Sequence, residues 1–152
     1  MLNAFEKLYN TTEIVQFLKE EIESVNLTSE NHFRTRFLQF VSSHEKILKY
    51  FINVLGGDVK MEDANGDTML ALMDYSTSKE IFDIMISAGA DVNHQNKQKN
   101  TPLILATEMT IVDDNCQKIQ AKLIDAGASV TIKNCWNLAP VDLDPTLKRF
   151  IK

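Results

Sequence analysis

Three histidines, two cysteines and two short acidic runs are the residues in this chain that could carry chemistry. Histidine ligates metals and moves protons near neutral pH, but His32, His44 and His94 share no ligand spacing and fall in different parts of the chain. His44 reads as a helix-start residue and His94 as a turn residue. Cys116 and Cys135 form no CxxC pair and no zinc set, so they read as free, partly buried thiols of a reducing compartment. Asp113-Asp114-Asn115 lacks the alternating acids and closing glutamate of a calcium loop and reads as a solvated loop. Glu20-Glu21 reads as a solvated helix face. Metalloprotease, phosphate-loop, nucleophile-elbow and dinucleotide patterns are missing. These residues give no reason to expect an enzyme, a cofactor or a metal.

The chemistry therefore has to come from a surface, and the composition says what would build it. The chain has 152 residues, enough for one domain with a buried core. It is 44% apolar and 24% charged, as a globular domain is. The formal charge is -5 and the 16 basic residues are scattered, which argues against a nucleic-acid partner. The start, Met1 to Lys7, lacks the apolar run of a signal peptide, and no stretch is long and apolar enough to cross a membrane.

The positioning elements repeat. Gly66-Asp67-Thr68-Met69-Leu70 returns as Lys99-Asn100-Thr101-Pro102-Leu103, with the threonines 33 residues apart, and one step back lies Thr35-Arg36-Phe37. Ile86-Ser87-Ala88-Gly89-Ala90-Asp91-Val92-Asn93 returns as Ile124-Asp125-Ala126-Gly127-Ala128-Ser129-Val130-Thr131. From Thr68 to Gly89 is 21 residues, and from Thr101 to Gly127 is 26, so the third unit carries five more, placed near 110–115. Each unit reads as a helix pair. A threonine starts the first helix by accepting a bond from an unpaired backbone N–H, with Pro102 just inside. The second helix carries apolar residues at helical spacing (Leu48, Phe51, Ile52, Leu55; Ile81, Phe82, Met85, Ile86) and ends at a glycine. First helices are expected near 35–42, 68–75 and 102–109, and second helices near 45–55, 78–88 and 115–126. Asn65-Gly66 is a hairpin signal.

The period, Asp63-x-x-Gly66-x-Thr68, Ala88-Gly89-Ala90-Asp91-Val92-Asn93 and Thr101-Pro102-Leu103 together resemble the ankyrin repeat, clearly over about 57–143 and more weakly back to about 30. The resemblance implies an all-α solenoid of stacked helix pairs with short β-hairpin or turn fingers and terminal caps. It divides the single domain into an N-terminal helical cap (1–28), a degenerate repeat (29–61), a repeat (62–95), a repeat with the insertion near 110–115 (96–133) and a C-terminal cap (134–152). In the caps, helices are expected over 3–9 and 12–25, and Asp144-Pro145 should open a last short helix. The family's histidine after Thr-Pro-Leu is replaced by Ala71 and Ile104, so cohesion between repeats is expected to rest more on packing.

The resemblance also implies a role: a non-catalytic protein–protein interaction module, an adaptor or inhibitor whose unbound form is monomeric. Cytoplasmic location is the expectation; the alternatives are an effector delivered into a host cell to bind a host protein, or a regulatory piece of an enzyme. Partners of the family are usually held by the turn tips and first-helix ends. Here the tips are Asn31, His32 and Arg34; Asn65 and Asp67; Lys97, Gln98 and Asn100; and Trp136. The helix ends give Tyr75, Ser76, Glu108 and Met109. Tyrosine and tryptophan often dominate binding energy, so Tyr75 is read as a surface anchor. Trp136 reads either as an anchor or as the shield of the C-terminal cap.

Overall fold

A computed structural model describes residues 31–73, 77–110 and 117–151. The expected N-terminal cap, Tyr75, Ser76, Cys116 and the insertion at 111–115 lie outside the described residues. Among the described residues, six α-helices follow in order: α1 (Asn31–Ser43), α2 (Glu45–Asn53), α3 (Lys79–Ser87), α4 (Pro102–Thr110), α5 (Gln117–Asp125) and α6 (Pro140–Leu143). A 3-10 helix over Pro145–Phe150 closes the set. Among the described residues there is no sheet, only one antiparallel bridge between Glu62 and Thr68.

Helices α2, α3 and α5 form where apolar residues recur on one face, and that face stacks, whereas α4 is apolar nearly all round and buried accordingly. Helix α1 packs on α2, α2 on α3, α4 on α5, and α6 on both α4 and the 3-10 helix. Leu48 and Phe51 of α2, Ile81, Phe82 and Met85 of α3, and Ile119 and Leu123 of α5 are all buried in one continuous cluster. Phe37 of α1 meets Phe51 edge-on at 6.0 Å between ring centres. Burying each such side chain contributes about 1.5–3 kcal/mol, which makes this seam the main source of cohesion.

The helix ends follow local chemistry. Ser78 caps α3 by accepting from the Ile81 N–H at 3.2 Å. The exposed Glu80 carboxyl lies below its ordinary range because its own backbone N–H, and then the Ser78 hydroxyl, donate to it. At the other ends of α3 and α5 the chain turns left-handed at Gly89 (φ +90°) and Gly127 (φ +93°). The following Ala90 and Ala128 N–H groups then fold back to the Met85 and Leu123 carbonyls at 3.0 and 2.9 Å. His44 stands at the N-cap of α2, and its ring bonds back to the Phe40 carbonyl instead of capping. Asp144 opens the last helix by accepting from the Thr146 N–H at 2.9 Å.

Two expectations fail. The first helix of the degenerate unit already includes Asn31, so it does not start at Thr35. No glycine or proline interrupts 31–34, and the Thr35 hydroxyl donates to the Asp63 carboxylate instead of capping a helix. The helix expected over 68–75 is, in its described part, one turn: the Ala71 and Leu72 N–H groups both bond to the Thr68 carbonyl, at 2.9 and 3.1 Å, and a turn covers only 69–72. The equivalent Thr101 caps α4 through the Ile104 N–H at 3.2 Å, whereas the buried Thr68 hydroxyl has no partner among the described residues. Met69 replaces the Pro102 that presets the first helical residue of α4.

Candidate functional site

Three tight turns project from the helix pairs, at 63–67, 96–100 and 134–138, and one side chain organises each. Asp63 Oδ1 accepts the N–H groups of Asn65 and Asp67 at 2.8 and 2.9 Å. Asn96 Oδ1 accepts those of Gln98 and Asn100 at 3.0 and 2.9 Å. Asn134 Oδ1 accepts those of Trp136 and Leu138, both at 3.0 Å. Asp and Asn suit this task because the short side chain reaches the backbone two residues on. In each turn the first N–H also bonds the last carbonyl, at 2.9 to 3.0 Å.

The turns are tied to one another. The Asn96 amide donates to Asp67 Oδ1 at 2.8 Å, and the Asn134 amide to Asn100 Oδ1 at 2.9 Å. The Lys97 N–H bonds the Asn65 carbonyl and the Cys135 N–H the Gln98 carbonyl, both at 3.0 Å. His94 Nε2 adds a bond to the Gly66 carbonyl at 2.9 Å. Cohesion between repeats therefore rests on a hydrogen-bonded ladder of Asp and Asn as well as on packing. The signal was in the sequence, as Asp63, Asn96 and Asn134 at one register, but the threonines and glycines mark the period more loudly.

The ladder decides which tip residues are available. Asn100 is buried and committed to Asn134, so its reading as a contact residue is corrected: it is a strut. Asp67 is half-buried and holds Asn96. Burial raises its pKa first of all, the Asn96 amide lowers it, Asp63 raises it further and His94 lowers it. Asn65, Lys97 and Gln98 are exposed. Asn31, His32 and Arg34, expected at a tip, stand on the first turn of α1. Trp136 is 59% exposed, and Leu138 beside it is 39% exposed. Cys135, expected partly buried, is exposed and free.

The first-helix ends form a second feature. Glu108 is exposed and Met109 half-buried. Where 68–73 makes only a turn, a groove of about 530 Å³ opens, lined by Gln39, Phe40, His44, Met73 and Met109 among others. His44 and His94 sit in different units, and among the described residues no three His, Cys, Asp or Glu side chains converge as metal ligands.

Stacked helix pairs joined by tied, projecting turns define a repeat solenoid, a class built to present a row of equivalent positions. The sequence model of the ankyrin-repeat family matches residues 37–134 in three copies, and the chain belongs to that family. Ankyrin repeats are protein–protein interaction modules. Among curated proteins, no sequence matches the chain. Among the described residues no helix is long and apolar enough to cross a membrane.

Proposed function

We propose that this protein is a non-catalytic adaptor or inhibitor that works in the cytoplasm. It holds one folded partner protein along its turn tips and is monomeric until it does so. The units 29–61, 62–95 and 96–133, with caps on either side, would line up the contact positions. The observation that carries the reading is Trp136: a large aromatic side chain stands 59% exposed at the tip of the last turn, where burying it against a partner would release the most water. Exposed Asn65, Lys97 and Gln98 continue the row; Glu108 and Met109 stand near the end of α4, and Tyr75 and Ser76 join the proposal by their sequence register alone.

The test is affinity capture with cross-linking, followed by Trp136→Ala on the identified complex. A hot-spot aromatic costs about 2 kcal/mol or more when truncated, so affinity should fall at least roughly tenfold, with unchanged circular dichroism. Full affinity in the Trp136 variant, together with loss of binding on substituting exposed second-helix residues such as Lys79 or Asp83, would move the contact surface to the other side of the stack.

A further inference from the structure

Resting on the reading of the turn tips as a contact surface, we propose that the partner segment seated there is acidic: a run of Asp and Glu side chains next to an apolar residue, crossing the second and third turns. Lys97 and Lys99 are exposed on the second turn and Lys133 directly before the third, and no carboxylate occurs within 95–99 or 133–138. The protein as a whole carries -5, so this edge is locally of the opposite sign. The lysines are held together. The Gln95 amide donates to both the Lys99 and the Lys133 carbonyls, at 2.8 and 3.1 Å, and the Cys135 N–H joins the third turn to Gln98 of the second.

None of the three charges is neutralised within the described residues. The Lys97 ammonium donates to the Ala64 carbonyl at 2.6 Å and that of Lys133 to Asn137 Oδ1 at 3.3 Å, both uncharged acceptors. Lys49 pairs with Glu45, and Glu62 stands 3.5 Å from His94 Nε2. Trp136 and Leu138 border the patch and supply the apolar contact.

Lys99 adds an independent observation. It holds φ +59°, the left-handed conformation that Gly66 holds in the first turn and Asn137 in the third. Glycine adopts it freely and asparagine tolerates it, but lysine does so at a cost. Strain of this kind points to a task for the side chain, and here that task is a third positive charge at the tip. A nucleic acid is the other polyanion such a patch could meet. The net charge of -5 and the lack of any arginine fork in the two turns favour the acidic protein segment.

Trp136 is the chain's one tryptophan, so its emission reports on this patch alone. The experiment titrates the whole protein with a short peptide alternating Glu and Asp around a central Leu, with the same peptide carrying Gln and Asn, and with oligothymidylate. The acidic peptide should give a saturable emission change that weakens as salt rises, and the neutral peptide none. Lys97→Gln combined with Lys133→Gln should lower the affinity roughly tenfold without altering circular dichroism. Lys99→Gly should raise the thermal midpoint while weakening the peptide; a lysine that merely tops the turn would change the midpoint alone. No saturable response by about millimolar peptide, an equal response to the neutral peptide, or tighter binding of oligothymidylate would each overturn the proposal. A captured partner that needs Trp136 but ignores the lysine variants would overturn the acidic chemistry and leave the contact surface standing. A partner indifferent to both would remove the surface as well.

Discussion

Position 67 carries a charge that its surroundings resist. Burial is the largest influence on the Asp67 carboxyl and sets its pKa above the ordinary 3.8, with the Asn96 amide pulling the other way. A raised pKa means that the folded protein holds the proton more tightly than the unfolded chain. That contribution to stability is present below the ordinary value and is lost as pH rises through the raised one. At neutral pH the ionised carboxylate therefore works against the fold. An asparagine there keeps an oxygen for the Asn96 amide, as Asn100 does for Asn134. Asp67→Asn should raise the urea midpoint at neutral pH, and the gain should shrink as pH falls into the carboxylate range. A lower midpoint at every pH would show that the charge strengthens the ladder. Lys99 is the other residue where local and global demands differ. Its left-handed backbone costs about 1–2 kcal/mol, and glycine's own loss of freedom returns about half of that, so the stability gain in Lys99→Gly should be about 1 kcal/mol. The first turn has no such latitude: a Cβ on Gly66 would lie 3.1 Å from the Lys97 backbone nitrogen.

At the scale of the element, one missing cap separates a helix from a turn. Thr101 and Thr68 occupy the same register, and both are buried. Thr101 pairs with the Ile104 N–H and a nine-residue helix follows, while Thr68 pairs with nothing among the described residues and only 69–72 turn. The same substitution at the two sites should act oppositely. Thr101→Val removes a working cap and should cost about 1 kcal/mol. Thr68→Val replaces an unpaired buried hydroxyl with a methyl and should be neutral or stabilising by up to about 1 kcal/mol. Equal losses in chemical denaturation would mean that Thr68 is a cap after all. The sequence hinted at this contrast only through Met69 in place of Pro102. The two threonines look alike there, and whether a hydroxyl meets an N–H depends on how the following residues pack.

Across the whole molecule the turns act as a second spine parallel to the apolar seam. Asn96 is its central link: it is buried, organises its own turn through two accepted bonds and donates to Asp67. Asn96→Ala leaves the Gln98 and Asn100 N–H groups and Asp67 unpaired at once and should cost about 3 kcal/mol. In a one-dimensional stack each unit is held by its neighbours, so the urea transition should also broaden as the two ends uncouple. A sharp transition with an unchanged midpoint would place the coupling in the helices alone. At the far end Leu138 takes the register held by Asp67 and Asn100 and offers no side-chain acceptor, so this mode of side-chain pairing stops there.

The period, the helix pairs and their apolar faces were determined by the sequence itself, because they depend on spacing and local chemistry. Leu48, Phe51, Ile81, Met85 and Leu123 are buried as their helical spacing required. Gly89 and Gly127 turn the chain left-handed at the ends of their helices, and Asp144-Pro145 opens the last helix, as their local sequence context required. The tertiary structure alone decided which polar residues face water. Asn100 and Gln98 are both polar residues of one turn, yet the neighbouring Asn134 amide draws Asn100 inward and leaves Gln98 outside. It also decided that Trp136 is more than half exposed, that Lys99 and Lys133 are tied through Gln95, and that the middle unit opens with a turn. These outcomes depend on contacts between units about 33 residues apart. A side chain's partner at that separation is set by how the units stack, which no local pattern of residues contains.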